Sequence, residues 1–425
     1  MRSKFISATL LVLSLLGMIA PNSSLGQGSY VSSAGPIHRG MGGASTAAPM
    51  SALGAMYWNP ATISGLYHSE LEVGLDFLST EHRVSSTIGP FSGTTEGDAG
   101  VFPLPNVGWV YHTQNPALTF GLGINAVAGF KTNLPSDLSN PILAPQAFGG
   151  LGRVSSEASF LQIAPVLSYA CSDQVSVAVG PVITSAQVGV EPFILDSANP
   201  DGTYPSGRAT RYHWGGGFQA GIYYVHNACW QFGSSFKSKA WMEEFDFFGE
   251  DQNGLPRTLH ADIDLPMVVS WGIAHTGFED VVLALDARFM DYQNADGFGT
   301  PATFDSTGRL AGLDWSSIFV LALGGQKKVS DRIIVRAGYT YNQNPIRDSE
   351  AFFNVASPLI YEHVLSLGGS FQLNPHLALS AAYSHYFQND RIGPVVLPGI
   401  GAVPGSSVVN EMQADFLSFG IVMRH

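Results

Sequence analysis

The chain is expected to form an all-β, 14-stranded antiparallel transmembrane β-barrel whose lumen is plugged by an N-terminal hatch. Three observations point there. From Ser69 onward, dyad-patterned segments alternate with connections in a strict short–long rhythm that runs to the C-terminus. Six tight turns and seven long loops make thirteen connections, hence fourteen strands. Short turns at one rim and long loops at the other are the plan of a bacterial outer-membrane barrel. Second, hydrophobic residues reach 45% while charged residues are only 12%, about half the charged share of a soluble domain. Such an outer face needs lipid around it. Third, Arg2 and Lys4 precede an apolar run from Phe5 to Ala20, and Ser24-Leu25-Gly26 offers small residues for cleavage. That is a secretory signal peptide, too short and wrongly flanked for a membrane helix.

Residues 1–26 are therefore assigned to the signal peptide, 27–68 to the hatch and 69–425 to the barrel. The hatch follows from barrel size: side chains alone do not fill the interior of fourteen strands, so water passes or something plugs it. Gln27 to Tyr67 is rich in Gly, Ala and Ser and lacks strand alternation, which suits a segment folded back inside.

Tight turns are read at Gln114-Asn115-Pro116, Ser172-Asp173, His226-Asn227, Glu279-Asp280, Ser330-Asp331 and Asn374-Pro375. Long loops fall near 81–104, 130–156, 191–207, 242–264, 294–313, 344–360 and 389–410. Between them lie strands of about ten residues with a period of two. In 281–291, Val281, Leu283, Leu285, Ala287 and Phe289 share a face opposite Asp286 and Arg288. In 332–341, Ile333, Val335, Ala337 and Tyr339 oppose Arg332, Arg336 and Thr340, and in 363–372 Leu365, Leu367 and Phe371 oppose Ser366, Gly368 and Ser370. The apolar faces are the lipid-facing candidates, and aromatics such as Trp109, Tyr111, Trp271, Tyr383 and Phe387 near strand ends suit interfacial girdles. The 48 glycines fit a wall that bends and leaves room inside.

A formal net charge of −13 argues against a nucleic-acid partner and reads as solubilising charge on loops and turns. Cys171 and Cys229 sit beside two short turns of one rim. The export signal permits a disulfide, while the separation of those turns opposes it. The 12 His show no metal-ligand spacing, and Arg39-Gly-Met-Gly-Gly lacks the flanking elements of a phosphate loop. No Gly-x-Ser-x-Gly elbow accompanies Ser384-His385. An enzyme, a metal site and a cofactor are all unexpected.

Arg39-Gly-Met-Gly-Gly-Ala44, followed by Ser51-Ala-Leu-Gly-Ala-Met-Tyr-Trp-Asn-Pro-Ala61, resembles the N-terminal hatch of the FadL-type outer-membrane transporters. Their hatch carries an Asn-Pro-Ala motif, here Asn59, Pro60 and Ala61. Leu104–Tyr111 resembles the family's second strand, Leu265–Gly272 its eighth, Val335–Tyr341 its eleventh and His363–Ser370 its twelfth. The resemblance implies a passive transporter in the outer membrane of a Gram-negative bacterium. It would take long-chain fatty acids or other hydrophobic small molecules, such as aromatic hydrocarbons, from apolar loops into a lumenal pocket and out sideways into membrane lipid. Each step of that route is downhill for an apolar molecule. The resemblance also implies a kink in the third strand, within Thr119–Thr132, with its glycine at Gly129. Glycine there has a physical rationale, because it bends freely enough to break strand pairing. One departure stands out: such barrels usually end in an aromatic residue, and this chain ends Met423-Arg424-His425. A plugged barrel can work as a monomer. The alternative reading is a non-transporting barrel that serves as a shuttle or scaffold for secreted or surface proteins.

Three groups of residues carry the functional expectations. Asn59-Pro60-Ala61 is either a turn or a gating tie between hatch and wall near the side opening. Asp286, Arg288 and Arg336 face the lumen, either as an ion-pair network holding the hatch or with an arginine gripping a carboxylate bidentately. Trp241, Phe245, Phe247 and Phe248 lie at the edge of the fourth long loop, as a capture groove for a hydrophobic ligand or as an interfacial anchor.

Overall fold

Outward apolar residues alternating with inward small or polar ones build a closed wall of 14 antiparallel strands in this computed structural model, which describes residues 28–209 and 211–425. The signal-peptide assignment lies outside the described residues. The strands are β1 (Glu70–Ile88), β2 (Val101–His112), β3 (Leu118–Leu134), β4 (Val154–Ala170), β5 (Val175–Glu191), β6 (His213–Val225) and β7 (Trp230–Lys237). They continue with β8 (Val268–Phe278), β9 (Val281–Met290), β10 (Ile318–Lys328), β11 (Ile333–Asn342), β12 (His363–Asn374), β13 (Leu377–Gly393) and β14 (Ser407–Arg424). Each strand pairs with its neighbour in sequence, and β14 returns to β1 in unbroken register from Thr87 opposite Ser407 to Glu70 opposite Arg424. Closure removes the sheet edges that lipid would leave unpaired.

The period of two is visible in exposure. On β10, Phe319, Leu321 and Leu323 are exposed while Val320 and Ala322 between them are buried. Strand lengths run from 8 residues in β7 to 19 in β1. The longer strands exceed the ~10 residues a tilted strand needs to cross a bilayer, so they project on the long-loop side. At the opposite rim the turns are tight. Glu279-Asp280 alone joins β8 to β9, with Asp280 at φ 60°, a left-handed conformation that aspartate tolerates better than most side chains. The long loops fold inward rather than outward: Phe193, Trp315, Phe353 and Ile360 are buried with upper wall residues in two apolar clusters. Cys171 and Cys229 are both free thiols.

Residues 28–66 lie inside the wall as α1 (Pro36–Arg39), α2 (Ala52–Trp58) and a 3-10 turn, Pro60–Gly65. Wall glycines let this segment come close. A β-carbon on Gly233 would collide with the Thr46 carbonyl, one on Gly338 with the Gly42 amide, and one on Gly324 with the Met41 carbonyl. The Ser51 side chain makes no cap on α2. The first amides of that helix instead donate to wall carboxylates, Ala52 N–H to Glu70 Oε1 and Leu53 N–H to Glu72 Oε2 at 3.0 Å. The helix is therefore completed by the wall rather than by its own sequence.

Candidate functional site

β2 and β3 part company halfway up the wall. Their pairing ends at Asn106 opposite Asn125, although β2 continues to Val101 on β1 and β3 continues to Leu134 on β4. Pro103 and Pro105 withhold two amides from β2. On β3 the register with β4 slips between Ala126 and Ala128, making Val127 the extra residue of a bulge. Gly129, where the kink was expected, sits two positions later and keeps its pairing with Ser159. A β-carbon on Gly129 would come within 3.6 Å of the Phe102 ring across the gap. The gap is bounded above by Asp98 and Asn133, whose backbones bond at 2.9 Å.

The free edge of β3 is taken by the N-terminal segment. Val31 N–H donates to Val127 O at 2.8 Å, Gly129 N–H donates to Ser29 O at 3.4 Å, and Tyr30 and Ala128 form an antiparallel bridge. Tyr57 of α2 donates its hydroxyl to Val31 O at 2.7 Å and to Val127 O at 3.2 Å. Tyr30, Val31 and Val127 are buried.

Asn59 ties the segment to the wall, but on β6. Its amide nitrogen donates to Thr46 O at 2.8 Å and to Ile222 O at 3.0 Å, while its oxygen accepts Ala61 N–H and caps the turn that Pro60 opens. The expected position beside the β3 opening is thus corrected to a site three strands further round. Glycine at 221 is what admits the Asn59 side chain against β6.

Asp286 and Arg288 form a buried pair at 2.7 Å whose remaining bonds go to the segment. Asp286 Oδ2 accepts Ser45 N–H, Thr46 N–H and the Thr46 hydroxyl at 2.8–2.9 Å. Arg288 donates to Gly43 O and lies 4.3 Å over the Trp58 ring. The sequence reading missed a second such pair, Arg39 with Asp76 at 2.7 Å, because Arg39 lies in a segment without periodicity. Arg336 is not part of either pair. It donates to Gln326 and Ser370 and lines a vestibule of about 900 Å³ on the short-turn side, together with Arg424, Gln372 and Met50.

The four aromatics of the expected capture cluster separate. Phe245 and Phe247 are buried among Phe193 and His213, whereas Trp241 and Phe248 face outward. The reason is the alternation of the short strand Phe245–Glu250, which pairs with Pro256–Ala261. They do not form one groove. In the same hairpin, ligand atoms of Glu244, Asp246 and His260 lie within 4.8 Å of one another. Arg211 also approaches Asp246, at 3.6 Å, which disfavours a cation there.

An apolar cavity of about 70 Å³ lies under the loops, bordered by Phe130, Phe160, Val188, Phe298, Leu313 and Phe353, with Ser156 and Ser357 as its polar side chains. A smaller void of about 10 Å³ follows, between Phe130, Gly129 and residues 29–31. Phe130 borders both and separates them.

Among curated proteins, no sequence relative matches significantly. Solved structures share the fold. A Pseudomonas aeruginosa FadL homologue superposes with a TM-score of 0.73 at 16% identity, covering 93% of this chain and 99% of that one. The P. putida toluene transporter TodX gives 0.67 at 16%, covering 93% and 99%, and the Ralstonia pickettii toluene transporter TbuX gives 0.66 at 14%, covering 92% and 98%. The family model for the outer membrane protein transport protein (OMPP1/FadL/TodX) matches residues 24–392. The chain therefore belongs to that family of Gram-negative outer-membrane transport barrels for hydrophobic compounds and is not an enzyme.

Proposed function

We propose that the protein admits uncharged hydrophobic molecules of about one aromatic ring from the loop side and releases them sideways into lipid between β2 and β3. The observation that carries this reading is the free edge of β3. A stretch of the wall lacks its strand partner, and residues 29–31 of the N-terminal hatch pair with it in that partner's place. Unpaired backbone facing lipid is costly, so a removable cover is the economical way to build a door in a barrel. The hatch is held elsewhere by Asn59 and the two buried ion pairs, so residues 29–31 can leave β3 while the rest stays docked.

The preference for uncharged ligands rests on the apolar cavity, whose lining contains no charged side chain. A fatty-acid carboxylate would be buried there without a partner, which is unfavourable. No energy coupling is needed, because transfer from water through apolar surroundings into lipid is downhill.

The test is uptake of labelled toluene and oleate by cells lacking their own transporter, with and without this protein. Insertion would be checked by heat-modifiable gel migration. Toluene uptake above the empty control, exceeding any gain with oleate, is the expected result. A well-inserted barrel that carries neither, or oleate alone, overturns the substrate reading.

A further inference from the structure

The strand that covers the β3 edge is held from the loop side as well as from the wall. Tyr292, in the loop after β9, accepts the main-chain N–H of Ser29 at 2.9 Å and of Tyr30 at 3.3 Å on its hydroxyl, which also lies 3.2 Å from Ser29 Oγ. A β-carbon on Gly28 would overlap the Tyr292 ring, so glycine is what admits the ring at that point. Tyr361 adds a bond from its hydroxyl to Gly28 O at 3.3 Å.

Tyr292 also belongs to an aromatic stack. Its ring meets Phe298 edge-on at 5.6 Å and Trp315 at 5.1 Å, and Phe298 and Trp315 are 4.7 Å apart. Phe298 borders the apolar cavity. One side chain thus touches both the space a ligand would occupy and the residue that grips the covering strand.

Volume decides what happens on entry. The cavity measures about 70 Å³, and an engineered protein cavity that binds benzene is about 150 Å³. A one-ring molecule therefore has to push lining side chains aside. On the wall side these are Ala158, Phe160, Val188 and Val190, on strands β4 and β5 that are laddered to neighbours. On the loop side they are Phe298, Leu310 and Leu313, in a connection built of separate turn bonds rather than a continuous strand ladder, such as Leu310 N–H to Ile194 O at 2.8 Å, Leu313 N–H to Gly297 O at 3.1 Å and Trp315 N–H to Phe298 O at 2.8 Å. The loop gives way first.

We propose that Tyr292 is the positioning residue of a ligand-sensitive latch: an apolar occupant displaces Phe298, draws Tyr292 off the Ser29 and Tyr30 amides, and frees the covering strand from β3. This rests on the lateral-exit reading. It adds a sensor, placing control of the door in the loop between β9 and β10. Losing two ordinary hydrogen bonds shifts an open-to-closed ratio by about thirty-fold.

The test uses a Cys171→Ser, Cys229→Ser background carrying Tyr30→Cys and Ala128→Cys, reconstituted in liposomes. The paired positions form an antiparallel bridge, a geometry in which a disulfide can close, so the oxidation rate reports the closed state. Toluene is expected to slow cross-linking. In an Ala128→Cys single-cysteine variant, which a thiol reagent labels through the open state, Tyr292→Phe is expected to speed labelling about thirty-fold without toluene, since it keeps the ring and removes the acceptor. Phe298→Ala enlarges the cavity and is expected to abolish the toluene effect while closed-state cross-linking persists. Equal rates in parent and Tyr292→Phe, with and without toluene, would overturn the latch. The fully cross-linked parent separates the two ideas. If it still delivers toluene into the bilayer, lateral exit fails and the latch with it; if it is blocked while Tyr292→Phe behaves as parent, only the latch fails.

Discussion

Phe247 and Phe248 are neighbours in sequence and opposites in environment. The hairpin turns Phe247 inward against Phe193, with ring centroids 4.5 Å apart, and leaves Phe248 52% exposed. Phe247→Ala should cost about 3–5 kcal/mol of stability, the usual price of emptying a buried aromatic site. Phe248→Ala should stay within about 0.5 kcal/mol. Thermal melts of the two variants check this, and equal losses would mean that the pairing of Phe247 with Leu259 is wrong. Asn59 follows the same logic with polar atoms. Asn59→Ala strands the Thr46 and Ile222 carbonyls, a loss of about 1–3 kcal/mol if they stay dry. Hydrogen exchange should then quicken in the 3-10 turn Pro60–Gly65, and unchanged exchange would reduce Asn59 to a simple turn residue.

Among elements, α1 shows how burial turns a side chain into a pH sensor. His38 is fully buried, with Nε2 at 3.0 Å from Ala48 O. Burial, aided by the nearby Arg336 and Arg288 charges, pulls its pKa from 6.5 down to about 4. A released segment would titrate near 6.5, so His38 favours docking fully above that pH. The contribution falls as pH drops from 6.5 towards 4, reaching a loss of about 3 kcal/mol. Protection factors across 36–51, measured against the intrinsic exchange rate at each pH, should therefore be alike at pH 8 and 7 and lower at pH 4.5, with His38→Gln removing most of the difference. A parent segment equally protected at pH 4.5 would contradict this.

Strand number, turn positions and lipid-facing rows were legible in the sequence because they depend on local period and on turn residues such as Asp280. The Val127 bulge, the bridge from Tyr30 to Ala128 and the capping of α2 by Glu70 and Glu72 were not. Each depends on which distant residues the register brings together, and no local pattern encodes that. Gly129, named by resemblance, keeps its pairing with Ser159, and the register slip falls two residues earlier, whereas Phe245 and Phe247 were misread because an alternating apolar strand looks the same whether it lines a core or a groove.

For the molecule as a whole, the question is what keeps a wall of 14 strands from leaking. Many inward positions carry glycine where the N-terminal segment touches, as at 233, 272, 324 and 338, so the wall has few side chains of its own to close the lumen. The loops seal from the other side through two apolar clusters. Deleting residues 28–68 separates these contributions, since it removes the segment and leaves the loops. It also strands Asp76 by removing Arg39, and it strips the Asp286–Arg288 pair of its bonds to Ser45, Thr46 and Gly43, so these charges would draw water into the space. The truncated barrel, once shown to be inserted by heat-modifiable migration, should conduct ions at least about tenfold better than the full chain in a planar bilayer, because a lumen of this width fills with water when nothing occupies it. An inserted truncation as silent as the parent would assign the seal to the loops. The buried ion pairs would then serve to place residues 29–31 on β3 rather than to keep the pore shut.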